Sequence, residues 1–462
     1  MKLFRLQSRG QVLVLVALLM VALIAVAALA IDIGRAYGVK TKLNAAVDAA
    51  SYEAARALAQ GSGEAGMRRK AQDVASRYFR ANFPEEFLGA VPPVPNVTAS
   101  RDGNSGQWQV SVSATAQMPT MFAGVIGWRS FGITAASEAV RATLDMVLVL
   151  DASSSMSVAD EKEGVVAFTL VKERAKEFVT LFDELDDRMG LVAFSTGAYP
   201  IVSICGQYPN DTQNPAKGTL SCNRGYEQDR LKGAIDRLYM GSMTASEEAL
   251  KKALDQLRAV RPSHQSGRRV IVFFSDGAPN TFNGRFSLRG GGTASGNLYS
   301  GVFAGQRAEQ LYDPGSYAQS EAQARIVDIA ALPATDAEET VPTTGYHKKR
   351  RLTGNTSDTY LKCDANVVAR DMTENVADMA RKDDIVIYTI GYGKIDERQM
   401  FDPSCSTYNE TGSTILKRLA NTTDSDTYDS KQPSGIYCKA PDTEALKACF
   451  EQVASAILRI TK

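Results

Sequence analysis

Histidine is nearly absent from this chain, which has two histidines among 462 residues. Nucleophilic serine or cysteine catalysis usually needs a neighbouring base, and only His264 and His347 are available, both in loop-like segments. The GxSxG and SxxK patterns of common serine hydrolases are also missing. We therefore expect a protein that is not an enzyme.

An excess of charge of either sign is missing as well. Lysine plus arginine and aspartate plus glutamate both number 52. Since nucleic-acid binding usually leaves a basic imbalance, the composition favours no nucleic-acid partner. The hydrophobic content of 44% is sufficient for a packed core in a chain of two or three domains.

Closely spaced cysteine pairs are missing too, because no two of the six cysteines have CxxC spacing. This disfavours structural zinc and thioredoxin-type redox chemistry. An even number in loop-like sequence predicts disulfides in an oxidising compartment, with Cys205 and Cys222 as an evident pair around one loop and the other pairings open. The candidate disulfide cysteines are Cys205, Cys222, Cys363, Cys405, Cys438 and Cys449.

A long apolar run is present near the amino end, at residues 12–31, VLVLVALLMVALIAVAALAI. Twenty helical residues at about 1.5 Å each match a hydrocarbon core of about 30 Å, so we expect a transmembrane helix behind a short cytoplasmic tail at residues 1–11. The alternative is a cleaved secretory signal ending near Ala28-Leu29-Ala30, although the run is longer than is usual for such signals.

Orientation depends on the flanks of this run. Three basic residues lie on each side, so the positive-inside comparison is a tie. The amino terminus adds one charge to the short tail, and all the cysteines lie in the large C-terminal part. We therefore predict a single-pass protein with its amino terminus inside and its body outside the membrane.

Residues 32–142 have the pattern of a small α+β module. Helical periodicity continues from the span to about residue 60, and a second helix is predicted at residues 64–82. Alternation with a period of two at residues 96–142 then indicates a hairpin and a further strand near residues 131–139. Trp108 and Trp128 fall in this module, and we interpret both as packing in its core or next to the membrane.

Residues 143–462 alternate apolar strands with amphipathic helices, which predicts an α/β domain with a doubly wound, mostly parallel sheet. Strands are expected at 145–151, 189–195, 269–276 and 384–393, and helices at 165–184, 245–259, 364–382, 413–421 and 442–460. Two insertions interrupt the alternation, at about 197–230 and 281–363. The second is rich in Gly, Ser, Thr and Tyr, and we expect a long loop there.

Oxygen-bearing side chains follow the predicted strands at the edge where ligands bind in such sheets. Asp151, Ser153 and Ser155 lie beyond the first strand, Thr244 precedes a helix, and Asp276 follows another strand. These hard ligands suit Mg²⁺, with Mn²⁺ or Ca²⁺ as alternatives. A purely structural role, such as helix capping, needs one hydroxyl and does not explain the other residues.

DASSSM after an apolar strand, Thr244 in GSMT and Asp276 in FFSDG resemble the metal-ion-dependent adhesion site of von Willebrand factor type A domains. The resemblance implies that Asp151, Ser153 and Ser155 are first-loop ligands, Thr244 the second-loop ligand and Asp276 the third-loop residue. It also implies that an acidic side chain of a protein partner completes the metal coordination. The neighbouring Ser154 is expected to face away and to tolerate glycine or alanine.

The segment from RGQVLVLV to EAARAL, with its Asp-x-Gly-Arg-x-Tyr at residues 32–37, resembles the TadE/TadG-like part of bacterial Flp (Tad) pilus-assembly proteins. The resemblance implies a place in the inner membrane, with the body in the periplasm or the extracellular space, and pilus-assembly components or a surface ligand as partners. Some relatives are cleaved after a glycine such as Gly10, but Leu15 replaces the usual glutamate, so we expect an uncleaved anchor.

Three functional hypotheses follow. The first is a membrane-anchored, cation-dependent binding protein for pilus assembly or anchoring, with direct surface adhesion as a variant. The second is a non-catalytic subunit that recruits partners to an envelope enzyme or chaperone. The third is a structural envelope protein that does not use its metal.

Overall fold

The computed structural model describes residues 9–58, 63–101, 107–158, 164–205, 217–299, 309–320, 323–332, 335–336, 339–340, 345–347, 350–352, 358–397 and 410–458. The chain divides into two compact units between Ala142 and Thr143. Most of the predicted cytoplasmic tail, the expected end of the first helix near residue 60, and Cys405 lie outside the described residues.

The helices are α1 (Arg9–Ala57), α2 (Gly63–Asn82), α3 (Ala167–Val179), α4 (Gln228–Asp236), α5 (Ser246–Ala259), α6 (Asp358–Lys382), α7 (Gly412–Ala420) and α8 (Thr443–Ile457). The strands are β1 (Asn96–Arg101), β2 (Trp108–Pro119), β3 (Ser130–Arg141), β4 (Leu144–Asp151), β5 (Arg188–Phe194), β6 (Ala198–Val202), β7 (Arg268–Ser275), β8 (Thr281–Leu288), β9 (Thr293–Tyr299), β10 (Glu309–Tyr312), β11 (Arg325–Val327), β12 (Ile329–Ala331), β13 (Thr335–Asp336), β14 (Glu339–Thr340), β15 (Gly345–His347), β16 (Arg350–Leu352), β17 (Val386–Tyr392) and β18 (Tyr437–Ala440).

The first unit combines a long helix with a small sheet. Helix α1 is continuous, and by length and composition it is suited to crossing a membrane. Its later turns and α2 share one core with the antiparallel sheet β1-β2-β3, in which every second residue of β2 is buried. Trp108 is buried in this core, whereas Trp128 is exposed.

The second unit is built on a six-stranded sheet in the order β18-β17-β7-β4-β5-β6. Neighbours pair in parallel except β5 and β6, which are antiparallel. Alternate residues of β4 face opposite cores: Val147 and Val149 face the side of α5, α6 and α7, and Leu148 and Leu150 face the side of α3, α4 and α8. The predicted doubly wound, mostly parallel sheet is confirmed.

One buried ion pair joins the amino ends of two central strands. Arg188 donates from Nε and Nη2 to the two carboxylate oxygens of Asp145 at 2.8 and 2.9 Å, and both side chains are fully buried. Ser266 donates to the same carboxylate through its amide and its hydroxyl. These bonds satisfy the buried charges, and they lie at the opposite end of β4 from Asp151.

The expectation of a long loop at residues 281–363 is wrong for the described part of that segment. Strands β8 to β12 form an antiparallel sheet in the order β11-β10-β9-β8-β12. The reason is an alternation that the polar composition hides: Phe282, Phe286 and Leu298 point into a core shared with α6. Gly291 and Gly292, with φ of 89° and 84°, make the turn between β8 and β9.

Candidate functional site

The site begins where the buried strand β4 ends. Asp151 is its last residue and is fully buried. One carboxylate oxygen accepts from the amide of Ser153 at 2.8 Å, and the other accepts from the hydroxyl of Ser275 at 2.6 Å. The carboxylate is therefore fixed in direction by its own loop and by the end of β7.

The predicted hydroxyl and carboxylate residues of the first and third loops lie together. The hydroxyls of Ser153 and Ser155 are 2.8 Å apart. Ser155 Oγ donates to Asp276 Oδ1 at 2.9 Å, and Ser153 Oγ lies 3.4 Å from the same oxygen. Side chains from the ends of β4 and β7 thus form one oxygen cluster.

The loop before α5 is attached to both of these loops. The amide of Gly241 donates to the carbonyl of Ala152 at 2.8 Å, and the hydroxyl of Ser154 donates to the carbonyl of Ser242 at 2.8 Å. Thr244 links the same loop to the third loop, because its backbone amide donates to the side-chain oxygen Oδ1 of Asn280 at 2.8 Å. The three loops therefore form one hydrogen-bonded edge, and Thr244 is buried within it.

The two carboxylates of the cluster are electrostatically unfavourable in their ionised forms. Burial, and then the nearby charge of Asp276, raise the pKa of Asp151 to about 7. Burial raises the pKa of Asp276 to about 6. Because the buried Asp151 and the half-buried Asp276 lie close to each other, ionisation of both carboxylates is disfavoured, and a cation beside them removes that cost.

The donor set fits a hard divalent cation. Its clustered members are the carboxylates of Asp151 and Asp276 and the hydroxyls of Ser153 and Ser155, all oxygen donors of the kind that Mg²⁺ and Mn²⁺ take. Across the described residues, no group of three or more His, Cys, Asp or Glu side chains is placed to hold a metal ion. A cation at this edge would therefore depend on hydroxyl ligands as much as on charge.

Three supporting residues were missed by the sequence analysis. Ser275 orients Asp151, and Asn280 links two loops. Gly241 allows close packing, because a Cβ there would lie 2.6 Å from Ser195 Oγ and 2.7 Å from Ala318 Cα. The serine directly before Asp276 was a visible signal for the first, but the other two roles depend on long-range packing.

The described cysteines are all in disulfides. Cys205 pairs with Cys222 across the first insertion, and Cys438 pairs with Cys449, joining β18 to α8. Cys363 is also disulfide-bonded. Disulfides across loops are typical of proteins in oxidising compartments.

Two family models match the chain. Residues 145–289 match the von Willebrand factor type A domain, and residues 10–57 match the family described as putative Flp pilus-assembly TadE/G-like. The chain therefore carries a von Willebrand factor type A domain. The same chain begins with a TadE/G-like pilus-assembly segment, and both resemblances seen in the sequence are confirmed.

Several solved structures are similar over most of this chain. The pilus adhesin SpaC from Lactobacillus rhamnosus GG has 14% identity and a TM-score of 0.37, over 79% of this chain and 34% of that one. The adhesive tip pilin GBS104 from Group B Streptococcus agalactiae has 14% identity and a TM-score of 0.38, over 79% and 69%.

Proximal thread matrix protein 1 from the mussel byssus has 16% identity and a TM-score of 0.31, over 70% of this chain and 49% of that one. This chain thus spans about half the length of the mussel protein and about a third of SpaC. No curated protein matches the chain.

Proposed function

We propose that the oxygen cluster binds one divalent cation, Mg²⁺ first and Mn²⁺ or Ca²⁺ as alternatives. The observation that carries this proposal is the hydrogen-bonded set of Asp151, Ser153, Ser155 and Asp276, in which two neighbouring carboxylates with raised pKa values lie among hydroxyls. Type A domains typically bind such a cation at their adhesion site. Thr244 would complete the ligands from the second loop.

The bound cation supplies a positive charge at the exposed rim of the sheet. Ser155 is exposed while Asp151 is buried, so the cluster opens toward solvent on the side of the first loop. Because the cation has few charged ligands, an acidic side chain of a partner protein would occupy a remaining coordination position and offset its positive charge. Binding of a protein partner rather than catalysis is therefore the proposed activity.

The proposed setting is pilus assembly or anchoring in a bacterial envelope. The TadE/G-like match and the apolar first half of α1 support a single-pass anchor in the inner membrane. We propose that the amino terminus is inside and that the type A domain is in the periplasm or the extracellular space, where disulfides such as Cys438–Cys449 persist.

A cross-linking pull-down with the full-length protein tests this function. Partner capture should require Mg²⁺ and should be lost in chelator and in Ser155→Ala. The matched control is Ser157→Ala, which removes an exposed hydroxyl on the same short turn that has no place in the proposed site. Capture that persists in chelator, or that falls equally in both variants, would refute the cation-dependent function.

A further inference from the structure

The connection between β2 and β3 exposes large apolar side chains at the surface of the first unit. Met121 is 64% exposed, Val125 is 92% exposed and Trp128 is 60% exposed, and Phe122 is exposed beside them. These four residues, which we call the β2–β3 loop surface, lie within eight positions of one another. Exposed apolar groups clustered in this way mark an interaction surface.

Asp32 fixes this surface to the end of the apolar span. Its carboxylate accepts from the amides of Met121 at 2.8 Å, Phe122 at 2.9 Å and Ala123 at 2.8 Å. Asp32 is the first charged residue after the apolar residues 12–31. The loop backbone therefore lies within hydrogen-bond distance of the point where the apolar run of α1 ends.

A second attachment follows one turn further along α1. Arg35 donates from Nη2 to the carbonyl of Leu88 at 2.7 Å and from Nη1 to the carbonyl of Pro119 at 3.3 Å. Gly38 lets the side chain of Leu88 pack closely against α1, because a Cβ at position 38 would lie 2.8 Å from Leu88 Cδ1. The loop surface is thus held in place by the Asp-x-Gly-Arg motif that follows the span.

We propose that the β2–β3 loop surface lies in the interfacial layer of the lipid bilayer. This inference rests on the proposed membrane anchor and adds a second lipid contact to it. Tryptophan is favoured at the headgroup level, where its apolar ring is buried and its indole N–H stays near water, and the other apolar side chains of the surface add buried area. The exposed Arg129 next to Trp128 is placed for lipid phosphates.

A lipid surface is favoured over a protein partner by position. A helix that crosses the bilayer at residues 12–31 brings Asp32 to the membrane surface, and the loop is hydrogen-bonded to that residue. The loop therefore meets lipid wherever the span is inserted. Its apolar side chains are the type that gains free energy from such contact, at about 25 cal/mol per Å² of buried apolar area.

The two tryptophans provide the test. The full-length protein is placed in vesicles of ordinary phosphatidylcholine or of phosphatidylcholine brominated in the upper acyl chain, and tryptophan emission is compared. Trp128 should lose most of its emission in brominated vesicles, while the Trp128→Phe variant, which retains only the buried Trp108, should show little loss. Extraction with alkaline carbonate reports separately whether the span is inserted.

Two aspartate variants form the matched pair. Val125→Asp places a charge on the loop surface and should restore Trp128 emission in brominated vesicles. Val140→Asp makes the same change on an exposed residue of β3, ten positions from the membrane end of that strand, and should leave the quenching unchanged.

Each outcome is decisive. A chain that resists carbonate extraction but keeps its Trp128 emission overturns the loop surface and leaves the anchor standing. A chain that carbonate extracts overturns the anchor and this inference together. Equal quenching in Val125→Asp and Val140→Asp would show that the apolar loop residues do not hold the surface in the lipid.

Discussion

Replacing Asp276 by asparagine should stabilise the metal-free protein and abolish its stabilisation by metal. Burial raises the pKa of Asp276 from 3.8 to about 6. A carboxyl whose folded-state pKa is raised costs the folded state stability as the pH rises from the unfolded value to the folded one, and the full cost remains above it. A rise of this size corresponds to at most about 3 kcal/mol at neutral pH, because solvent reaches the half-buried side chain and screens part of the cost.

The asparagine side chain would retain an oxygen to accept from Ser155, whose hydroxyl lies 2.9 Å from Asp276 Oδ1. Asp276→Asn in chelator should therefore exceed the wild type in free energy of unfolding at about pH 8 by up to about 3 kcal/mol, and should equal it below about pH 4. With Mg²⁺ in about thousandfold excess over Kd the order should reverse, because only the wild type gains ligand-linked stability, and the gain of about 4 kcal/mol exceeds the advantage of the variant.

Urea titrations with and without chelator measure both effects. Because unfolding of a chain with two units is not guaranteed to be one transition, the transition of the type A domain is followed through its own near-ultraviolet circular dichroism. The reasoning is refuted if metal-free Asp276→Asn is no more stable than the wild type at about pH 8, or if Mg²⁺ stabilises both chains equally.

Three further results are expected. Burial raises the pKa of Glu248 on α5 from 4.5 to about 8, so the free energy of unfolding should fall as the pH rises between these values. In Glu248→Gln this fall, which is at most about 5 kcal/mol, should be absent from urea titrations. Parallel pH profiles of the two proteins would contradict this. Gly241→Ala should lower the free energy of unfolding by about 1–3 kcal/mol, because the new methyl group meets Ser195 and the backbone of Ala318. The control is Gly233→Ala within α4, whose methyl group would meet only Arg237 Nη1 at 3.5 Å and should not destabilise the protein. Asp32→Ala should speed amide hydrogen exchange at residues 121–123, which lose their acceptor, and unchanged protection would disprove that role.

The central strands were predictable because strands buried on both faces are apolar almost throughout. The segment around Val147 is apolar in this way, and the structure places it as β4 in the middle of the six-stranded sheet. The edge strand β6 was not predicted, since it is short and contains Pro200, which is tolerated where ladder bonds are missing.

The insertion was mistaken for a loop because composition was given more weight than alternation. Phe282 and Phe286 are separated by polar residues and glycine, and only the core beneath β8 shows that they share a face. Helix α6 also begins at Asp358, earlier than the apolar periodicity indicated. Short strands that pack on a helix close in space but distant in sequence have a weak local signal.

The candidate ligands were predictable because parallel strands end at one edge of the sheet, which brings Asp151 and Asp276 together. The hydrogen bonds that tie the loops to one another were not predictable. Ser154 was expected to face away and to tolerate replacement, and the structure shows its hydroxyl bound to the carbonyl of Ser242. Such roles depend on where a distant backbone lies, and side-chain type alone does not encode that.

Counting bound Mn²⁺ by electron paramagnetic resonance tests the cation site most directly. At saturation the full-length wild-type protein should hold one Mn²⁺ per chain, and added Mg²⁺ should displace it. Ser157→Ala should hold the same amount, and Asp276→Asn should hold none. Full occupancy in Asp276→Asn, or no bound Mn²⁺ in the wild type, would contradict the assignment of the oxygen cluster as a divalent-cation site.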